Sequence, residues 1–97
     1  MKQYKLNVAN QVYDSLGAIY ENKRKYDVPS AKRFAEGCLR ELEKLSTLPH
    51  RGANLSGEYK SRSYQHHLII YQIIEPDEVR VLDIVDPKQH TVASKYY

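Results

Sequence analysis

The stretch His66-His67-Leu68-Ile69-Ile70-Tyr71-Gln72-Ile73-Ile74 is rich in β-branched and aromatic residues and contains no Gly or Pro. Such a run reads as a strand. Alternation puts His67, Ile69, Tyr71 and Ile73 on one face and Leu68, Ile70, Gln72 and Ile74 on the other. Both faces are mostly apolar, so both demand cover, and the strand is expected in the middle of a sheet. Glu75-Pro76-Asp77-Glu78 follows with Pro and Asp at turn positions, and Val79-Arg80-Val81-Leu82-Asp83-Ile84-Val85 then reads as an antiparallel return strand.

The rest of the chain is organised around this hairpin. Tyr4-Lys5-Leu6-Asn7-Val8 alternates and predicts a short first strand with Tyr4, Leu6 and Val8 on its buried side. A helix is expected from Ala9 or Asn10, with Asn10 as its N-cap and Val12, Leu16, Ile19 and Tyr20 along one stripe. Gly17 weakens it. Tyr13 and Tyr20 are read as structural residues of this helix. The basic Lys23-Arg24-Lys25-Tyr26-Asp27 is read as a solvated helix end suited to the helix dipole, with nucleic-acid contact as the alternative.

Pro29 and Ser30 open the second predicted helix, Ser30 as cap, and it runs to Thr47 or Leu48 before Pro49. Ala31, Phe34, Ala35, Cys38, Leu42 and Leu45 recur at three- and four-residue spacing and mark its buried stripe. Lys32, Arg33, Glu36, Arg40, Glu41, Glu43 and Lys44 fall on the wet side. His50 to Gly57 reads as an irregular loop, and Glu58 to Gln65 as another strand. The expected fold class is α+β: an N-terminal strand, a helical hairpin, then a three-stranded antiparallel meander. The helices pack on one sheet face and leave the other partly open.

Ninety-seven residues suit one domain, taken as residues 1–97. The single cysteine, Cys38, excludes an internal disulfide framework and a multi-cysteine metal site. No leader-like or membrane-spanning run is present, which points to the cytoplasm and away from a membrane. The balance of 15 Lys+Arg against 12 Asp+Glu leaves +3, which permits an anionic partner without identifying one.

The order of elements resembles the RelE/ParE superfamily of bacterial type II toxins. The resemblance covers essentially the whole chain. It rests on the helical hairpin ending in Leu45-Ser46-Thr47-Leu48-Pro49, on Asn54-Leu55-Ser56-Gly57-Glu58-Tyr59-Lys60-Ser61-Arg62, on the His67–Ile73 strand and on Val79–Val85. It implies a growth-inhibiting toxin of a plasmid-stabilisation type, bound by a cognate antitoxin and needing no metal or cofactor. One fold hosts two activities in this superfamily. RelE- and YoeB-like members are endoribonucleases that cut messenger RNA at the ribosome; ParE-like members poison DNA gyrase without cleaving anything themselves.

RNA cleavage by 2′-hydroxyl attack needs a base, an acid and cations around the transition state. The resemblance makes Lys60, Arg62, Lys88 and His90 the catalytic candidates. Arg51, His66, Lys95, Tyr96 and Tyr97 are candidates for target or RNA contact. His67 is read as a core or rim histidine. In the RNase branch an arginine commonly follows the residue matched by His67, whereas Leu68 stands here. Losing one such charge donor costs about 2.7 to 4 kcal/mol in transition-state stabilisation. ParE-like members tolerate an apolar residue there, so the expectation leans to gyrase binding. The ribosome-dependent nuclease and an inactive antitoxin-binding homologue are the alternatives.

Overall fold

A computed structural model describes residues 3–55 and 57–88. The elements in order are β1 (Lys5–Val8), α1 (Asn10–Arg24), α2 (Val28–Leu45), a 3-10 turn (Pro49–Arg51), β2 (Ala53–Asn54), β3 (Tyr59–Tyr64), β4 (His67–Ile74) and β5 (Glu78–Val85). They build one five-stranded sheet in the order β1-β5-β4-β3-β2, with β4 at its centre as its two apolar faces require. β3, β4 and β5 form the expected antiparallel meander. β1 adds parallel to β5, Lys5 opposite Glu78 and Val8 opposite Val81, because the helical hairpin carries the chain across before it returns. None of the described helices is long and apolar enough to cross a membrane.

Local chemistry moves several predicted boundaries. Ala9, not Asn10, is the N-cap of α1: its N–H bonds to Val81 O at 2.9 Å, so sheet pairing continues up to the helix start and no side chain caps it. The N-cap of α2 is Asp27 rather than Ser30. Its carboxylate accepts from the Ser30 N–H at 3.3 Å and from the Ser30 hydroxyl at 2.9 Å, and Pro29 occupies the first turn. The helix ends at Leu45, short of Thr47. Ser46 Oγ donates to Glu43 O at 2.6 Å, and Tyr4 N–H takes Ser46 O at 2.7 Å, drawing the chain off the axis.

His66 is not part of the central strand. Gln65 and His66 have φ of 43° and 68° and form the two-residue turn between β3 and β4, a left-handed backbone whose twist suits a tight hairpin. Within the loop expected to be irregular, Ala53 and Asn54 pair with Ser61 and Lys60 as an edge strand.

The hairpin of helices covers the sheet face carrying Ile69, Tyr71, Val79, Val81 and Ile84. From the helices come Val12, Leu16, Phe34, Cys38, Leu42 and Leu45, with Tyr4 beside them, so the α2 stripe is buried as its spacing predicts. Ile19 and Tyr20 reach only half burial and Tyr13 is exposed, so α1 contributes a narrower stripe than expected. Tyr71 is fully buried and its hydroxyl donates to Pro49 O at 2.6 Å. Gly52 lies against the same hydroxyl, where any added side chain would collide. The opposite face holds a smaller cluster of Ile70 and Val85 with Leu55, Tyr59, Leu68 and Leu82 around them.

A register shift in the β4–β5 pairing leaves Leu82 without a partner and Ile70 opposite Asp83. Asp83 is buried and paired. Ser15 Oγ donates to its Oδ1 at 2.6 Å and the Ile84 N–H at 2.8 Å, which ties α1 to β5 through a polar contact inside an otherwise apolar interface.

Replacing Leu42, 2% exposed in the middle of this core, by Ala should lower unfolding free energy by about 2 to 5 kcal/mol in urea titrations. A loss below half a kilocalorie per mole, the order expected of an exposed site, would place Leu42 outside the core.

Candidate functional site

Lys60 and Arg62 alternate on β3 and share its helix-side face, since Lys60 is registered with Tyr71 and Arg62 with Ile69. Neither cation is unattached. Arg62 Nε donates to Glu41 Oε2 at 2.7 Å, with the two side chains only 28% and 18% exposed. Glu41 also accepts from Lys44 Nζ at 3.1 Å. Burial pushes the Glu41 carboxyl up, but the Lys44 hydrogen bond and the Arg62 charge outweigh it, leaving Glu41 below the usual carboxylate range. Lys60 Nζ donates to Asn54 Oδ1 at 2.8 Å, bracing the short edge strand β2 against β3.

Arg51 leaves the 3-10 turn beside this strand. With Arg62, Gly52, Ala53, Ser61 and Ser63 it lines a shallow cleft of about 320 Å³. Two predicted residues, Arg51 and Arg62, therefore line one cleft, and Lys60, two residues from Arg62 on the same strand face, extends the basic rim along the β2–β3 edge. The backbone is held there because Tyr71 grips Pro49 O and only glycine fits at position 52.

The other candidates lie elsewhere. Lys88 follows the end of β5, beyond the Leu68–Val85 pair, with its N–H on Asp86 Oδ1 at 2.9 Å. Lys60 sits in the Tyr71–Val81 row, so the two lysines do not share a site. His66 is exposed in the β3–β4 turn. His90, Lys95, Tyr96 and Tyr97 lie outside the described residues. His67 has its ring edge-on to Phe34 at 5.3 Å and its Nδ1 3.0 Å from Gln65 O, the engagement of a rim histidine.

Leu68 packs in the apolar cluster with Ile70 and Val85, on the face opposite Lys60 and Arg62. A larger groove of about 510 Å³ runs between α1 and the β4–β5 end, lined by Gln11, Ser15, Asn22, Lys23, His67 and Asp86 among others. Sequence reasoning missed this groove and placed Glu41 among wet positions. The Glu41–Lys44 spacing was visible as a helical pair. Nothing in the sequence links Glu41 to Arg62, 21 residues away on another element. Cys38 beneath them is buried, its thiol pushed up to about 11 by desolvation and then by Glu41, which makes it an inert core residue.

A family model described as the ParE toxin of the type II toxin-antitoxin system parDE matches residues 6–90. A solved chain of the chromosomal ParDE toxin-antitoxin system from P. aeruginosa superposes with a TM-score of 0.73 at 14% sequence identity. The match covers 87% of this chain and 96% of that one, a likeness of fold. No curated protein matches the sequence significantly.

The Glu41 contacts make a pH-dependent contribution of defined sign. A carboxyl held below its unfolded value of about 4.3 stabilises the fold above that pH, and the contribution is lost as pH falls through the lower folded value. Arg62→Met removes part of this depression. The stability gap between wild type and variant should therefore be widest near neutrality and narrow below about pH 4, as read by urea titrations at several pH values. A gap independent of pH would show that Arg62 contributes by packing alone.

Proposed function

This chain belongs to the ParE toxin family of type II toxin-antitoxin systems, and from that premise we propose that it arrests growth by binding DNA gyrase, without cleaving nucleic acid itself. The observation that carries this reading is the disposition of Leu68 and Arg62. Leu68 is packed in an apolar cluster, and Arg62, on the neighbouring strand, is committed to Glu41 on the other side of the sheet. Metal-free RNA cleavage needs its acid, base and charge donors held together, and a misplacement of about 1 Å costs on the order of a hundredfold in rate. Lys60 stands in the sheet opposite Tyr71 and Lys88 follows the end of β5, an arrangement that suits a spread contact surface better than a catalytic constellation.

A cognate antitoxin fits the same surfaces. Acidic side chains complement the Arg51, Lys60 and Arg62 rim and Lys88, and an apolar segment complements the cluster around Leu55, Leu68 and Leu82. The similar P. aeruginosa chain comes from a two-component ParDE system, in keeping with such a partner.

Purified chain should inhibit gyrase supercoiling and leave messenger RNA on ribosomes intact. Arg51→Ala and Lys60→Ala should weaken inhibition by graded, several-fold amounts, because contacts across a binding surface are lost one at a time, whereas members of a catalytic unit fail together. Addition of the product of the neighbouring gene should abolish inhibition. Ribosome-dependent cleavage by the wild type, eliminated by Lys60→Ala or His90→Ala, would move the protein to the endoribonuclease branch.

A further inference from the structure

The formal charge of +3 is not spread over the surface. From Glu21 to Arg33 five cations, Lys23, Arg24, Lys25, Lys32 and Arg33, face two acids, Glu21 and Asp27; in the rest of the chain ten cations and ten acids cancel. The fold gathers this window at one place. It comprises the last turn of α1, the connection and the first turns of α2, which form the tip of the helical hairpin.

Both acids of the tip are occupied locally. Asp27 caps α2 through Ser30, and Glu21 holds Arg24 at 2.8 Å. Lys23 turns back over the Phe34 ring, 4.8 Å from its centroid. Lys25 and Lys32 are exposed and have no ion-pair partner among the described residues; Arg33 is exposed, donates to the Ser30 hydroxyl at 3.2 Å and adds its charge to the Ser30 hydrogen bonds that hold the Asp27 carboxyl down. Among these charges stands Tyr26, 86% exposed, with Val28 43% exposed two residues on. A large aromatic side chain at the apex adds nothing to the core, so its place in the fold leaves ring and hydroxyl available to a partner.

We propose that this hairpin tip docks on the sugar-phosphate backbone of duplex DNA, independently of sequence, with Lys25, Lys32 and Arg33 as phosphate contacts and the Tyr26 hydroxyl as an additional donor. Clustered cations with an exposed hydroxyl are the side chains that contact phosphates, and such contacts position a protein on a duplex without reading bases. Lys25, Tyr26, Lys32 and Arg33 line neither of the two clefts described above, although Lys23 of the same tip borders the larger groove. An exposed basic surface can meet the regular charge array of a duplex without a complementary pocket.

The test is fluorescence anisotropy with a mixed-sequence 20-base-pair DNA duplex and the purified chain, titrated between about 25 and 200 mM salt. Three phosphate contacts predict a slope of log K against log salt of about −2.7. Each contact contributes on the order of tenfold near 50 mM salt, so the double variant K25Q/K32Q should bind on the order of a hundredfold more weakly, with a slope shallower by about 1.8. A charge-matched pair at the far edge of the sheet, K5Q/R80Q, should stay within about twofold of wild type. Thermal melting of each variant confirms that it is folded.

Equal binding by K25Q/K32Q and wild type would overturn the proposal, as would an equal loss in K5Q/R80Q, which would make net charge alone responsible. Binding at least tenfold tighter to an RNA duplex of the same sequence would overturn the DNA assignment. So would tip variants that lose antitoxin capture while keeping DNA affinity, since the surface would then serve an acidic protein. The assay contains no gyrase, so its outcome is separate from the fate of the gyrase reading.

Discussion

Both faces of β4 must be kept from water, and the rest of the fold answers that requirement. Ile69, Ile70 and Tyr71 are consecutive, point alternately to opposite sides and are all fully buried. At about 1.5 to 3 kcal/mol for each large apolar side chain removed from water, these residues hold a substantial share of the stability a domain of this size can have. The helical hairpin covers one face with the α2 stripe, and the cluster around Ile70 and Val85 fills the other. Because β4 is central, β5 and β3 pair on its two sides, and β1 and β2 are left as the edges.

The polar features of the surface depend on that central packing. Tyr71 brings a hydroxyl into the core and must pair it, which it does with Pro49 O; the segment carrying Arg51 is thereby drawn against β3. Arg62 leaves the same face of β3 and meets Glu41 on α2, a half-buried pair whose partial desolvation makes either partner costly to remove alone. The cleft beside Arg51 and Arg62 is thus built from core demands met at the sheet edge. The tip of the helical hairpin lies outside these demands, and the uncompensated charge collects there.

The periodicity of α2 and the two-sided apolarity of β4 were legible residue by residue, because burial of a regular element imposes a repeat of 3.6 or 2 that composition alone cannot hide. Element order followed, and with it the resemblance that the family match bears out. Boundaries were less legible. Asn10 and Ser30 both carry capping chemistry, yet Ala9 is held by Val81 O, a partner far away in the chain, and Asp27 takes the cap of α2 by accepting from Ser30 three residues on, so one start was decided by sheet pairing and the other by a competing local cap.

Of the candidate site, the sequence by itself determined which cations exist and that Lys60 and Arg62 share one face of a strand, since alternation is a property of extended backbone. It also determined that Leu68 stands beside His67 where a charge donor was in question. Tertiary structure alone decided that Arg62 is bound to Glu41, that Lys60 braces Asn54, and that Lys88 falls past the Leu68–Val85 end of the sheet, because each depends on strand register and helix placement. Register is set by cross-strand pairing of residues far apart in the chain, and no local repeat encodes it.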